Sequence, residues 1–199
     1  MRGFPLPSLT LYYIKMIKTY PELLLVAYPP QLWIDLIAQW KQMLKNEIGG
    51  FASWNSKAHI TIAFCWNQSA VDHYIPRIRT FCKFAVPAEV IFDKLVYGDE
   101  TFLIEPKEVS KKYINNFIRD LHKHINKKGK RPSAHISIGR ELSDVYIPIA
   151  KEIFKDEEIN LKFPFAGLHL LKFNSETGHY SDIIETFEFT GKQQPDLFS

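Results

Sequence analysis

Two short segments carry the residue types that proton transfer at a phosphorus centre needs. Ala58-His59-Ile60-Thr61-Ile62 and Ala134-His135-Ile136-Ser137-Ile138 agree at four of five positions and differ only in Thr for Ser. An imidazole titrates near neutrality, so it can accept or donate a proton at physiological pH. On an extended strand, residues two apart share a face. Each segment therefore presents a histidine beside a hydroxyl, with Ala and Ile packed behind. If both strands face one groove, the set suits a phosphodiester. One of His59 and His135 activates a water or hydroxyl and the other protonates the leaving oxygen, with either assignment open. The hydroxyls of Thr61 and Ser137 donate hydrogen bonds to the non-bridging oxygens as charge shifts in the transition state. Nothing in this scheme requires a metal, and no cofactor is expected.

A single His-x-Thr/Ser would be a poor signal, as His179-Tyr180-Ser181 shows. That third copy follows Gly178 at a strand start, lacks apolar neighbours on both sides, and is read as structural. The other two stand in matching contexts. Each follows a helix and a polar loop, and each precedes a helix and a hairpin.

Those contexts come from the hydrophobic periodicity. Leu23 to Ala27 reads as a strand, closed by Tyr28-Pro29-Pro30. Trp33, Leu36, Ile37, Trp40 and Leu44 then recur at helical spacing until Gly49-Gly50. Ala58 to Phe64 forms a second strand, Val71 to Lys83 a helix interrupted by Pro76, and Val90 to Tyr97 with Thr101 to Glu105 a hairpin turned at Gly98-Asp99-Glu100. The order then partly repeats. Val109 to Asn126 reads as a helix, Ala134 to Gly139 as a strand and Tyr146 to Phe154 as a helix. Leu161 to Phe173 and Tyr180 to Phe189 read as a closing strand pair around Asn174 to Gly178. Duplicated lobes related by a pseudo-two-fold axis are the simplest account.

Other side chains gain meaning from this frame. Arg140, directly after the second motif, has the planar donor fork that binds phosphate. Phe64, after the first, could stack on a base, whereas Trp54 is assigned to loop packing. Lys127-Lys128-Gly129-Lys130-Arg131 precedes the second motif, where it could hold the backbone of an RNA longer than a dinucleotide, or be a solvated basic turn. His122 and His124 are expected to favour the negative end of their helix. His73 and His169 carry no pattern.

The paired strands resemble those of the 2H phosphoesterase superfamily, which includes 2′-5′ RNA ligase-like proteins and cyclic nucleotide phosphodiesterases. Arg140, Phe64, the run Leu168-His169-Leu170-Leu171-Lys172-Phe173-Asn174-Ser175 and Gly178-His179-Tyr180 extend the resemblance over nearly all of the chain after Glu22. It implies an α+β fold, bilobal and duplicated, whose antiparallel sheets line a central groove with helices outside. It also implies activity on 2′,3′-cyclic phosphates or 2′-5′ linkages of nucleotides or RNA ends, with reverse ligation, and with both histidines essential. Residues 1–20 are then an N-terminal extension, Met16 being an alternative start. Residues 21–199 are one bilobal domain whose lobes, approximately 21–105 and 106–199, exchange strands.

Composition sets the surroundings. A net charge of +3, with 46% hydrophobic and 24% charged residues, fits a globular protein with an anionic ligand, well short of a protein that coats nucleic acid. Cys65 and Cys82 are the only cysteines, which points to a reduced, cytoplasmic setting and not to a disulfide framework or a zinc site. No apolar run approaches the roughly 20 residues that cross a bilayer, and Met1 to Tyr20 lacks the block of a secretory signal. A monomer suffices. The alternative from another class is a non-catalytic RNA- or nucleotide-binding module with the same groove. Acyl transfer by Ser137 is disfavoured, because the Gly-x-Ser-x-Gly elbow is missing.

Overall fold

The computed structural model describes residues 21–65 and 71–192. The extension expected at 1–20 lies outside the described residues. Within them the chain order is β1 (Leu23–Ala27), α1 (Gln31–Ile48), β2 (Ile60–Cys65), α2 (Val71–Phe84), β3 (Ala88–Tyr97), β4 (Thr101–Pro106), α3 (Glu108–His124), β5 (Ile136–Arg140), α4 (Tyr146–Ile153), β6 (Leu161–Phe165), β7 (Gly167–Asn174) and β8 (His179–Glu188). This is the expected α+β pattern, and every strand pairing is antiparallel.

The local causes are ordinary ones. Helix α1 buries Ile34, Ile37, Trp40 and Leu44 on one stripe, and Gly49, at φ 82°, takes the left-handed turn that stops it. Helix α3 buries Ile114, Phe117, Ile118 and Leu121, and ends before Asn126 at φ 55°. Strand β1 is buried on both faces. Leu23, Leu25 and Ala27 join the main core, whereas Leu24 and Val26 pack with Leu171 in a smaller cluster beneath Tyr28 and Tyr180.

The strands form one eight-stranded sheet in the order β6-β3-β4-β5-β2-β1-β7-β8. A β-α-β-α-β unit, β1 to β3, is followed by a β-α-β-α-β-β unit, β4 to β7, and each sends its last strand to the other's first. Strand β3 lies beside β4, and β7 beside β1. The antiparallel strands of the two halves are continuous through β2 and β5, which pair at one position, Ile60 opposite Ile136.

Leu161 to Phe173, expected as one strand, is two. Strand β6 pairs with β3 at one edge of the sheet, and β7 pairs with β1 and β8 in the other half. Buried residues fall at Leu161, Phe163 and Phe165 and then at Leu168 and Leu170, so the alternation slips by one residue at Ala166 and Gly167, where the chain changes partner. Gly167 permits it: a Cβ there would sit 3.0 Å from the carbonyl oxygen of Phe187. Pro164 lies on edge strand β6, where its missing N–H costs no ladder bond.

Ile60 and Ile136 are fully buried in the core that the helices cover. Ile136→Ala should destabilise the protein by about 2–5 kcal/mol, the usual cost of truncating a buried aliphatic side chain. Urea unfolding followed by circular dichroism measures it.

Candidate active site

The site begins at that one contact. With Ile60 opposite Ile136, the antiparallel register sets His59 across from Ser137 and Thr61 across from His135. All four are one residue away from the buried isoleucines, so they face away from the core. His59, Thr61, His135 and Ser137 accordingly line a single cleft of about 620 Å³, together with Phe64 and Arg140. All six residues singled out from the sequence are thus brought together.

Each histidine is held in the same way. The Nδ1 of His59 lies 2.7 Å from the carbonyl oxygen of Lys57, and that of His135 lies 2.9 Å from the carbonyl oxygen of Ser133. A carbonyl only accepts, so Nδ1–H donates and the neutral ring keeps the lone pair of Nε2 for the cleft. The loop ahead of each strand therefore fixes the tautomer as well as the position.

Burial and neighbouring charge separate the two rings. Desolvation lowers the pKa of His59 to about 4, helped by Lys41, Arg140 and His135 and opposed by the bond to Lys57. His135 is also lowered by desolvation and Arg140, but Glu105 beside it acts in the opposite direction. His59 is the better held in its neutral form, and His135 the more readily protonated.

Arg140 ends β5, and Phe64, 39% exposed, stands near the end of β2. Both also line an adjoining recess of about 430 Å³, whose walls include Tyr28, Phe173, His179 and Tyr180. The rejected third copy, His179-Tyr180-Ser181, thus contributes to the groove as wall and not as a second motif. Its aromatic neighbours come from three distant strand ends, and no spacing in the sequence announces them. Trp54 packs in its loop under Lys45, whose Nζ is 3.3 Å from the ring centre.

Lys41 was missed. It is buried on α1, and its Nζ donates to the carbonyl oxygen of Ser56 at 2.7 Å and to its Oγ at 2.9 Å. Ser56 Oγ donates to the carbonyl of Ser53, and Ser53 Oγ to that of Ile138 on β5. This chain ties α1, the loop before His59 and the second motif strand together. Burial and Arg140 lower the Lys41 pKa to about 7. The sequence did carry a weak signal, because Lys41 lies one turn from Ile37 and beside Trp40 on the apolar stripe of α1.

His122 also corrects an expectation. It does not serve the helix end as a cation. It is buried beneath β2, where Nε2 donates to the carbonyl oxygen of Ile62 at 2.9 Å, and burial lowers its pKa. Its spacing of four from Ile118, itself four from Ile114, places it on the buried stripe. Cys65 and Cys82 are buried free thiols, raised to about 11 and 12 by desolvation. Among the described residues no three His, Cys, Asp or Glu side chains converge as metal ligands. No helix there is long and apolar enough to cross a membrane.

No protein-family model and no curated protein matches the sequence. Solved structures do match in fold. Escherichia coli LigT, solved with NADP+, superposes with a TM-score of 0.60 at 11% identity, over 85% of this chain and 98% of LigT. The protein TT0787 of Thermus thermophilus gives 0.60 at 12% identity, over 86% and 99%. Usb1 of Kluyveromyces marxianus gives 0.50 at 12%, over 84% and 98%. This chain has their fold.

Two outcomes follow from the electrostatics. Between pH 6.5 and about 4 the unfolded chain holds a proton at His59 that the folded chain releases. Stability should therefore fall on acidification through that window, by up to about 1.4 kcal/mol per pH unit from this group. His59→Asn should flatten the slope in urea titrations at several pH values. In Lys41→Met one of the cations that depress His59 is gone, so the His59 ring signal in NMR should titrate at higher pH than in the parent.

Proposed function

We propose that this protein is a metal-independent phosphodiesterase that opens 2′,3′-cyclic phosphates or cleaves 2′-5′ linkages at nucleotide or RNA ends. One observation carries the reading. Two histidines, each with Nδ1 bound to the carbonyl two residues earlier, offer Nε2 to one cleft alongside two hydroxyls and an arginine.

Neutral His59 Nε2 takes a proton from water as the water oxygen attacks phosphorus, and protonated His135 delivers its proton to the departing ribose oxygen. The Thr61 and Ser137 hydroxyls donate to the non-bridging oxygens, and the Arg140 guanidinium offsets their charge, in a partly desolvated cleft where such bonds are strong. With a ribose 5′-hydroxyl in place of water, the same proton transfers join it to a 2′,3′-cyclic phosphate: the base takes the hydroxyl proton, the acid protonates the departing 3′ oxygen, and a 2′-5′ linkage remains. The basic and aromatic groups around the cleft support a nucleotide as ligand. LigT has been solved in complex with 3′-AMP, ATP and NADP+, which agrees with that ligand class. Phe64, together with the aromatic walls of the adjoining recess, is placed to stack on a base.

Hydrolysis of 2′,3′-cyclic mononucleotides with EDTA present tests the reading. His59→Ala and His135→Ala should each lose roughly 10²- to 10⁴-fold in turnover. Nucleotide binding by the parent without turnover would instead mark a non-catalytic binding module. The pH profile has a defined sign. The base must be unprotonated, above about pH 4, while the acid must be protonated, below a value itself under 6.5. The value of kcat/KM should therefore peak on the acid side of pH 6.5, and a maximum on the alkaline side would contradict the assignment of His135 as acid.

A further inference from the structure

A second recess adjoins the cleft on the side away from the aromatic walls. It measures about 530 Å³ and is lined by Arg119, Asp120, His122, Lys123, Asn126, Lys127 and Arg131. Lys127 and Arg131 also line the cleft, with Lys128, Gly129 and Lys130 between them. The basic loop is thus a shared wall. From His59 and His135 a row of cations leads over residues 127–131 to Lys123 and Arg119 on α3.

This row is poorly neutralised. Arg119 is bound to Asp120 at 2.9 Å and also donates to Asn116. Lys123, Lys127, Lys128, Lys130 and Arg131 have no acidic partner within ion-pair distance among the described residues. Asp120 is the one carboxylate on the recess wall, against four cations. A second observation points to the same place. His122 lines this recess, and its Nδ1 is the one buried side-chain polar atom without a hydrogen-bond partner among the described residues. Because Nε2 donates to Ile62, Nδ1 is an acceptor, a group that phosphate oxygens cannot satisfy but that the 2′-hydroxyl of a ribose can.

A single mononucleotide phosphate needs only the cleft. Cations continued beyond it, spaced along a path, match the repeating phosphates of a strand. We infer that the substrate is a single-stranded RNA several nucleotides long, whose reacting end lies between His59 and His135 while its upstream phosphates run over Lys127 and Arg131 to Lys123 and Arg119. This rests on the phosphodiesterase reading for the reacting end, but the track is testable without turnover.

Arg119 and Lys123 lie outside the cleft, so Arg119→Ala with Lys123→Ala removes the far part of the track alone. Binding is read by fluorescence anisotropy with a single-stranded RNA of about ten nucleotides, within the span of known strand-binding sites, and with a dinucleotide. Equal urea midpoints of parent and variant serve as the folding control. The parent should bind the longer RNA more tightly. At about 0.1 M salt each lost phosphate contact should weaken that binding about fivefold, and the slope of log Kd against log salt should become shallower by about 0.7 per contact. Dinucleotide binding and turnover of a 2′,3′-cyclic mononucleotide should not change. Equal affinity of the parent for both lengths, or equal loss on both in the variant, would overturn the track. A parent that binds with this length dependence but opens no cyclic phosphate would leave the track standing and remove the phosphodiesterase.

Discussion

The structure depends on one antiparallel contact, Ile60 against Ile136, where the two halves of the sheet meet. Both side chains point into the core, so the residues on either side must point out. That single constraint sets His59 opposite Ser137 and Thr61 opposite His135. It also explains why the motif carries aliphatic residues between its polar ones: they hold the register on which the facing of the polar ones depends. The exchange of last strands between the two units, β3 to β4 and β7 to β1, secures the contact from both sides, because β1 and β4 flank β2 and β5 and are themselves bound by strands from the other unit.

Around the contact the protein gathers positive charge and little negative charge. His59 is surrounded by Lys41, Arg140 and His135, and its ring is driven strongly toward the neutral form. Burying Lys41 also opposes its charged form. These costs are the kind that an anion in the cleft would relieve, since its charge would offset the positive field of Lys41 and Arg140. The same field that empties His59 of its proton is offset near His135 by Glu105, so two chemically identical groups acquire different acidities from their surroundings.

The cleft has two neighbours of different character. On one side the rings of Tyr28 and Tyr180, with Phe173 edge-on to Tyr180, rest on a small apolar cluster that β1 can supply only because it is buried on both faces. On the other side is the basic loop before β5 and the cationic face of α3. Both flanks follow from the antiparallel meeting of β2 and β5 at the middle of the sheet: the loops that enter these strands arrive from opposite ends, one on each side of the contact.

Much of this was legible in the residues alone. The helices and most strands follow from periodicity, and His59, Thr61, His135 and Ser137 follow from a repeated pattern of polar and aliphatic residues, because strand geometry is local and fixes which neighbours share a face. Arg140 and Phe64 were legible as extensions of the same strands. The break between β6 and β7 was missed although the apolar alternation slips by one residue at Ala166 and Gly167; what alternation does not report is the strand that each segment pairs with. Lys41, the burial of His122, the inequality of the two histidines and the aromatic recess were hidden for a deeper reason. Desolvation and Coulomb interaction depend on distances through space between residues remote in the chain, and those distances exist only after β2 and β5 have met.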